Sequence, residues 1–292
     1  MTNFLGLVWA GVVSGCLYAL GAIGLVMVFK SSKVVNFAHG NLAGLGAFFV
    51  YGFTAGKFAD LSWGAALLVT LIAVVALTGL SGAIIAPLVA KSDLTSTIAT
   101  LGIGLIVQGA TQLTFGSEVV ALDLPLPSWR THIGAIRVTS YDLAVVTITV
   151  GIVIALHLLI DKTRIGVAFR AVSDNPFASR VCGLRLTRIQ LFSWIVSGVL
   201  GLVASLLIVP TTFLSSTSVA SFMLQAFAAA VVGGFSSLGG AIVGGLLVGV
   251  LMNLLSFYFS SEFTSTYLLL LILVVLTLFP KGVLAVRGGA RA

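Results

Sequence analysis

Long apolar runs restrict this chain more than any other feature. A helix crossing a hydrocarbon core of about 30 Å needs about 20 apolar residues. Runs of that kind follow one another through the sequence: Phe4–Phe29, Val34–Gly56, Leu61–Ala90, Leu94–Phe115, Tyr141–Ile160 and Ile189–Val209. The third is overlong for a straight crossing and is expected to tilt or break. A last block, Phe222–Phe279, divides at the Gly-rich stretch 233–240 and again at Ser260-Ser261-Glu262. It yields a short helix Phe222–Val232, a longer one Ala241–Phe259 and a final one Thr264–Phe279. Lipid offers no partner to a backbone N–H or C=O, so segments of this length must be helices. The expectation is an all-α polytopic membrane protein of about eight transmembrane helices with Gly-rich broken segments, forming one domain over residues 1–292.

Composition closes the alternatives. Only 8% of the residues are charged and 59% are hydrophobic, with a mean hydropathy of +1.20, whereas a soluble domain carries about 25% charged residues. Disorder, a secreted disulfide scaffold and an ordinary cytosolic enzyme are excluded. Cys16 lies in the first apolar run and Cys182 in a basic loop, so no thiol framework exists. Val13-Ser14-Gly15-Cys16 looks like a lipoprotein processing box, but the residues before it lack a basic n-region. Cys16 is therefore read as a small residue in a retained helix.

Charge placement orients the spans. With the N-terminus outside, the inside loops hold Lys30, Lys33, Lys91, Lys162, Arg164, Arg170, Arg180, Arg185, Arg188, Lys281, Arg287 and Arg291. The outside loops keep Lys57, Arg130 and Arg137. That is twelve against three of the 15 basic residues, and this Lys/Arg bias is the orienting term. The C-terminus is then inside. The net charge of +7 reports topology; a nucleic-acid footprint would need a basic soluble face.

Three interruptions exceed what a plain anchor needs. Val35-Asn36-Phe37-Ala38-His39-Gly40-Asn41 puts two amides and an imidazole just inside the second span. Thr97, Thr100, Gly104, Gln108 and Thr111 fall on one face of the fourth at helical spacing, followed by Gln112. Gly233, Gly234, Gly239 and Gly240 break the last block. Polar groups at membrane depth face a bundle interior or a water-filled cavity. Asn36 and His39 suit either a headgroup-level re-entry or an inner gate. The Thr/Gln stripe suits either interhelical hydrogen bonding or a polar path. Small residues four apart at Gly11/Gly15, Gly40/Gly44, Gly240/Gly244 and Gly245/Gly249 suit close helix packing.

The loop 161–188 is the most informative segment outside the membrane. Asn175 (or Asp174) can cap, Pro176 suits the first helical position, and Gly183 suits a left-handed exit. The spacing predicts about two turns of helix after Asn175, with Phe177 and Val181 on one face and Arg180 near another. It would either rest on anionic lipid or dock a cytoplasmic partner.

No catalytic or metal constellation accompanies these features. The sequence holds no Walker phosphate loop, Cys/His metal cluster, His-Glu-x-x-His helix or G-x-S-x-G elbow. His132 and His157 are solitary, and the acidic residues lie at loops and span ends. A transporter built this way has no engine of its own and must borrow one.

Several of these residues resemble a known family. Lys33-Val34-Val35-Asn36-Phe37-Ala38-His39-Gly40, with Gly46-Ala47, is similar to a segment of the branched-chain amino acid ABC transporter permeases of the LivH type. Arg170-Ala171, Asn175-Pro176, Ala178 and Gly183-Leu184 resemble that family's cytoplasmic coupling segment. The stretch from Val231 to Gly245 resembles its late Gly-rich signature, and Pro280-Lys281-Gly282 its usual ending. Asn41 stands where the family commonly has an acidic residue or Gln. The family and its near relatives also carry urea, short amides and other small organic solutes.

The resemblance implies a type II-like ABC importer permease in the bacterial cytoplasmic (inner) membrane, a transport subunit and not an enzyme. It implies a second, LivM-type permease, two cytoplasmic ATPases holding ATP and Mg²⁺, and an external solute-binding protein. Asn36, His39, Asn41, Thr97, Thr100, Gly104, Gln108 and Thr111 would form the solute path. Arg170, Asn175, Pro176, Phe177, Ala178, Arg180 and Gly183 would couple to the ATPase. The glycines at 233, 234, 239 and 240 would serve gating or packing. A passive channel or facilitator is the rival, and the capped inside helix argues against it.

Overall fold

The computed structural model of the protein describes residues 2–89, 91–127, 129–133, 136–279 and 282–283. The helices are α1 Thr2–Ser32, α2 His39–Thr54, α3 Trp63–Val89, α4 Asp93–Phe115, α5 Ser140–Lys162, α6 Arg164–Asp174, α7 Pro176–Val181, α8 Leu186–Thr212, α9 Ser216–Gly233, α10 Leu238–Tyr258 and α11 Thr264–Leu278. An antiparallel hairpin, β1 Arg130–Ile133 and β2 Ile136–Thr139, precedes α5, with Arg130 opposite Thr139. Among the described residues, seven helical segments are long and apolar enough to cross a membrane, belonging to α1, α3, α4, α5, α8, α10 and α11. α2 has 16 residues, and the apolar part of α9, Ser221–Gly233, is shorter still. The all-α polytopic architecture expected from the apolar runs is present.

Local chemistry sets the helix starts. Ser92 Oγ accepts from Thr95 N at the head of α4, and Ser237 Oγ accepts from Gly240 N at the head of α10. Before α5, Thr139 and Asp142 cap each other reciprocally: Asp142 Oδ2 accepts from Thr139 N and Thr139 Oγ1 accepts from Asp142 N. Several elements differ from the expected ones; α8 starts at Leu186 and not Ile189, and α9 at Ser216 and not Phe222. The second span begins at His39 and not Val34, because Lys33 leaves α1 with φ +59 and the chain runs non-helical to Ala38. The loop 161–188 contains α6 as well as the expected short helix. The division after Gly233 is where it was expected, but α10 starts at Leu238 because Ser237 caps it. Ala90, Pro280, Lys281, Arg287 and Arg291 lie outside the described residues.

The contacts form two compact units, one of residues 27–126 and 147–223, the other of 1–26, 127–146 and the chain from 224. Lipid tails are as apolar as Leu, so close packing, and not apolar burial, holds such helices together. In the first unit α2 packs against α3, α4 and α8. Its core joins Phe48, Val74, Leu202 and Leu206 at one level and Leu42, Ile85 and Trp194 at another. Small residues let the backbones approach: a Cβ on Gly82 would lie 2.8 Å from Trp194 Cγ, and one on Gly201 would lie 3.0 Å from Ala43 Cβ. In the second unit α1 crosses α10 in the same way. A Cβ on Gly11 would sit 2.6 Å from Val250 Cα, and one on Gly15 would sit 2.7 Å from Leu246 Cα.

Candidate functional site

The polar segment between α1 and α2 is held by side chains from three helices. Its backbone leaves the helical ladder, so its buried donors and acceptors need other partners. Asn36 supplies one locally: its side-chain oxygen accepts from Ala38 N at 3.1 Å, the Asx turn that Asn favours. Thr100 of α4 supplies the next. Its hydroxyl accepts from Phe37 N at 3.1 Å and lies 3.2 Å from Val35 O and 2.7 Å from its own Thr97 O. Asn41 donates to Gly104 O at 3.0 Å, and His39 Nδ1 meets Ser197 Oγ of α8 at 3.0 Å. Asn36 and His39 are each only 2% exposed. The structure thus brings Asn36, His39, Asn41, Thr100 and Gly104 together around one broken backbone.

The rest of the α4 stripe is less involved in that contact. Thr111 is buried and bonds back to Val107 O, half-buried Thr97 bonds back to Asp93 O, and Gln108 lies one turn beyond Gly104, also half-buried. The opposite face of α4 is open, with Leu105 68% and Ile106 73% exposed. Its two faces are therefore segregated as the spacing implied.

The second element of the site is the elbow after α5. Thr163 Oγ1 accepts from Gly166 N and starts α6, and a side chain at Gly166 would overlap the Ile160 carbonyl. Phe169 and Val172 are fully buried and anchor α6. Asn175 Oδ1 accepts from Ala178 N at 3.0 Å and starts α7, with Pro176 at its first position. Gly183 leaves with φ +83, a conformation that costs an L-residue about 1 kcal/mol or more. Phe177 and Val181 of α7 are 77% and 75% exposed, and Arg180 is also exposed. Arg170 turns away from α7 and pairs at 3.4 Å with Asp161, which also meets His157 at 3.2 Å. His157, solitary in the sequence, has this partner in the fold.

A short bridge joins the two elements. Ser173, near the end of α6, donates through Oγ to Lys30 O at 3.0 Å, and its own carbonyl lies 3.5 Å from Lys33 Nζ. The last turn of α1 and the left-handed Lys33 are thereby tied to the residues that precede α7. Sequence reasoning missed Ser173 and Ser197. Ser197 had a signal, since Ser193, Ser197, Gly201 and Ser205 recur every four residues, and the last three meet α2, where Ser205 Oγ also donates to Ala43 O. Ser173 had none.

The four glycines of the late break belong to the second unit. A side chain on Gly233 would overlap the Gly240 carbonyl, and Gly234 has φ +89. The ends of α9 and α10 therefore touch backbone to backbone. This geometry is close packing.

Comparison with known proteins follows the same lines. A family model described as "Branched-chain amino acid transport system / permease component" matches residues 7–278. The high-affinity branched-chain amino acid transport system permease protein LivH of Salmonella typhimurium is 29% identical, covering 96% of this chain and 95% of the relative. The probable branched-chain amino acid transport permease protein LivH of Methanocaldococcus jannaschii is 28% identical over 92% of this chain and 89% of its own length. The ribose import permease protein RbsC of Haemophilus influenzae is 32% identical over 62% of this chain and 57% of its own. No solved structure matches. With a match over nearly its whole length and seven membrane-crossing segments among its described residues, the chain is a multi-pass membrane protein of the branched-chain amino acid transport system permease family.

Proposed function

We propose that the chain is the permease subunit of an ATP-driven importer for branched-chain amino acids or a related small polar organic solute. It works in the bacterial cytoplasmic membrane with its N-terminus outside and its C-terminus in the cytoplasm. Its partners are a second, LivM-type permease, two cytoplasmic ATPases and an extracytoplasmic solute-binding protein. ATP and Mg²⁺ are held by the ATPases. One observation carries the reading: a capped helix with bare apolar residues is tied through Ser173 to the polar break between α1 and α2.

In this mechanism α7 seats Phe177 and Val181 on an ATPase, beside Arg180. Movement of the ATPase shifts α7 and, through the shared residue Asn175, α6, whose buried Phe169 and Val172 carry the shift into the bundle. Ser173 passes the shift to Lys30 and Lys33. The break then changes shape around Asn36, His39, Asn41 and Thr100, which act as an inner gate. The neutral stripe from Thr97 to Thr111 offers donors and acceptors to a desolvated zwitterion or amide without a fixed charge that would trap it. Gly233, Gly234, Gly239 and Gly240 hold the α9–α10 corner.

Reconstitution tests the reading. Liposomes holding this chain with its co-purifying subunits should take up leucine only with ATP and binding protein present. Uptake by this chain alone, without ATPase subunits, would establish the passive facilitator instead.

A further inference from the structure

A cavity of about 540 Å³ opens beside α7 in the first unit, within the range of small-ligand pockets. Its wall carries both signs of charge. Lys33 and Arg180 contribute cations and Asp93 a carboxylate, and none of the three belongs to an ion pair among the described residues. Gln190 of α8 lines the same cavity. It is only 8% exposed, and its amide makes no hydrogen bond with the described residues. That leaves the amide open to a group that the cavity admits. The remaining wall includes Ala83, Ala86, Pro87 and Val89, which are apolar.

These surfaces select a ligand class. A carboxylate suits Arg180 and Lys33, an ammonium suits Asp93, either end can bond to Gln190, and an aliphatic chain suits the Ala, Pro and Val wall. A simple anion would meet the Asp93 charge, and a simple cation would meet two like charges. A zwitterionic amino acid with an aliphatic side chain answers all four.

We propose that this cavity binds such an amino acid from the cytoplasmic side and restrains the permease, so that import slows as the product accumulates. The inference rests on the reading of the chain as an amino-acid importer. The cavity is bounded by Pro176 and Arg180 of α7, Asp93 at the head of α4, the last turn of α3 and Gln190 of α8. A ligand there bridges α7 to three membrane helices. Its binding free energy is lost when α7 moves away, so it favours the state in which α7 stays put.

The test uses the assembled importer in vesicles with the ATPases facing outward and the binding protein sealed inside. Leucine added on the ATPase side should slow ATP hydrolysis. At ten times its Kd the slowing should reach up to roughly tenfold, the limit when the held state already predominates, because a ligand held by one state alone multiplies that state by about 1 + [L]/Kd. The probes 4-methylpentanoate, 3-methylbutylamine and inorganic phosphate should not slow it. Gln190→Leu and Asp93→Asn should each abolish the leucine effect, measured against that variant's own rate without leucine. Hydrolysis that ignores outer leucine, or that phosphate slows equally, overturns the site. Leucine uptake from the binding-protein side is measured on the same importer in right-side-out vesicles, and its absence overturns the substrate reading instead.

Discussion

The α1–α2 break and the α6–α7 elbow are both places where a helix stops and another begins, yet they are held in opposite ways. The elbow satisfies itself: Asn175 caps α7 from the adjacent position, Pro176 needs no N–H partner, and Gly183 supplies the left-handed exit. The break draws on distant chain. Phe37 N is met by Thr100, 63 residues away, and His39 by Ser197, 158 residues away. Lys33 takes a left-handed φ without being glycine, a strain of about 1–2 kcal/mol that its surroundings must offset. A self-capped elbow keeps its shape while it moves. A cross-stitched break changes shape when its neighbours move. The proposed roles of driven helix and inner gate call for those two properties respectively.

The largest expected effect separates them most clearly. Thr100→Val withdraws the acceptor from Phe37 N and should cost about 1–3 kcal/mol, read as a lowered thermal midpoint in detergent. Thr100→Ser should restore most of it, and an unchanged midpoint in the Val variant would show that the break is held by something else. Asn175→Ala should cost about 1 kcal/mol locally. Because α7 is short and exposed, the global midpoint should barely move, while ATP hydrolysis stimulated by loaded binding protein should fall. A global loss as large as that of Thr100→Val would erase the contrast between the two regions. Smaller again is Phe177→Ala with Val181→Ala, within about 0.5 kcal/mol of the parent since both side chains are exposed. ATPase co-purification should nevertheless be lost, and its survival would remove α7 from the docking surface. The α4 faces give a comparison with no stability change sought. Cysteine at Gln108 should react with a water-borne thiol reagent at a rate that nucleotide alters, and cysteine at Leu105 should stay protected. Equal labelling of the two would make the stripe packing alone.

How far each region could be read in advance follows from where its partners lie. The elbow's cap, its proline and its exit glycine sit within eight residues of one another, so their spacing is the structure. The companion helix α6 has a weaker local signature. Its buried stripe of Phe169 and Val172 has only two large members. For the break, the polar residues were visible but their purpose was not, since re-entry at the headgroups and burial in a bundle give the same local sequence. Thr100 looked like a path residue from spacing alone; its hydroxyl also turns out to hold Phe37.

Taken by itself, the sequence determined the membrane class, the glycine crossings and the short capped helix. Apolar length, small-residue period and capping chemistry act within one segment or across equivalent ones, and lipid leaves the backbone no alternative. Only the tertiary structure decided that Ser173 joins α6 to α1, that Thr100 and Ser197 close the break, and that Lys33, Asp93, Arg180 and Gln190 share one cavity. Each of those pairings depends on which face of one helix meets which face of another. In lipid that choice is made by shape and hydrogen bonding between helices, to which no single segment's hydropathy contributes.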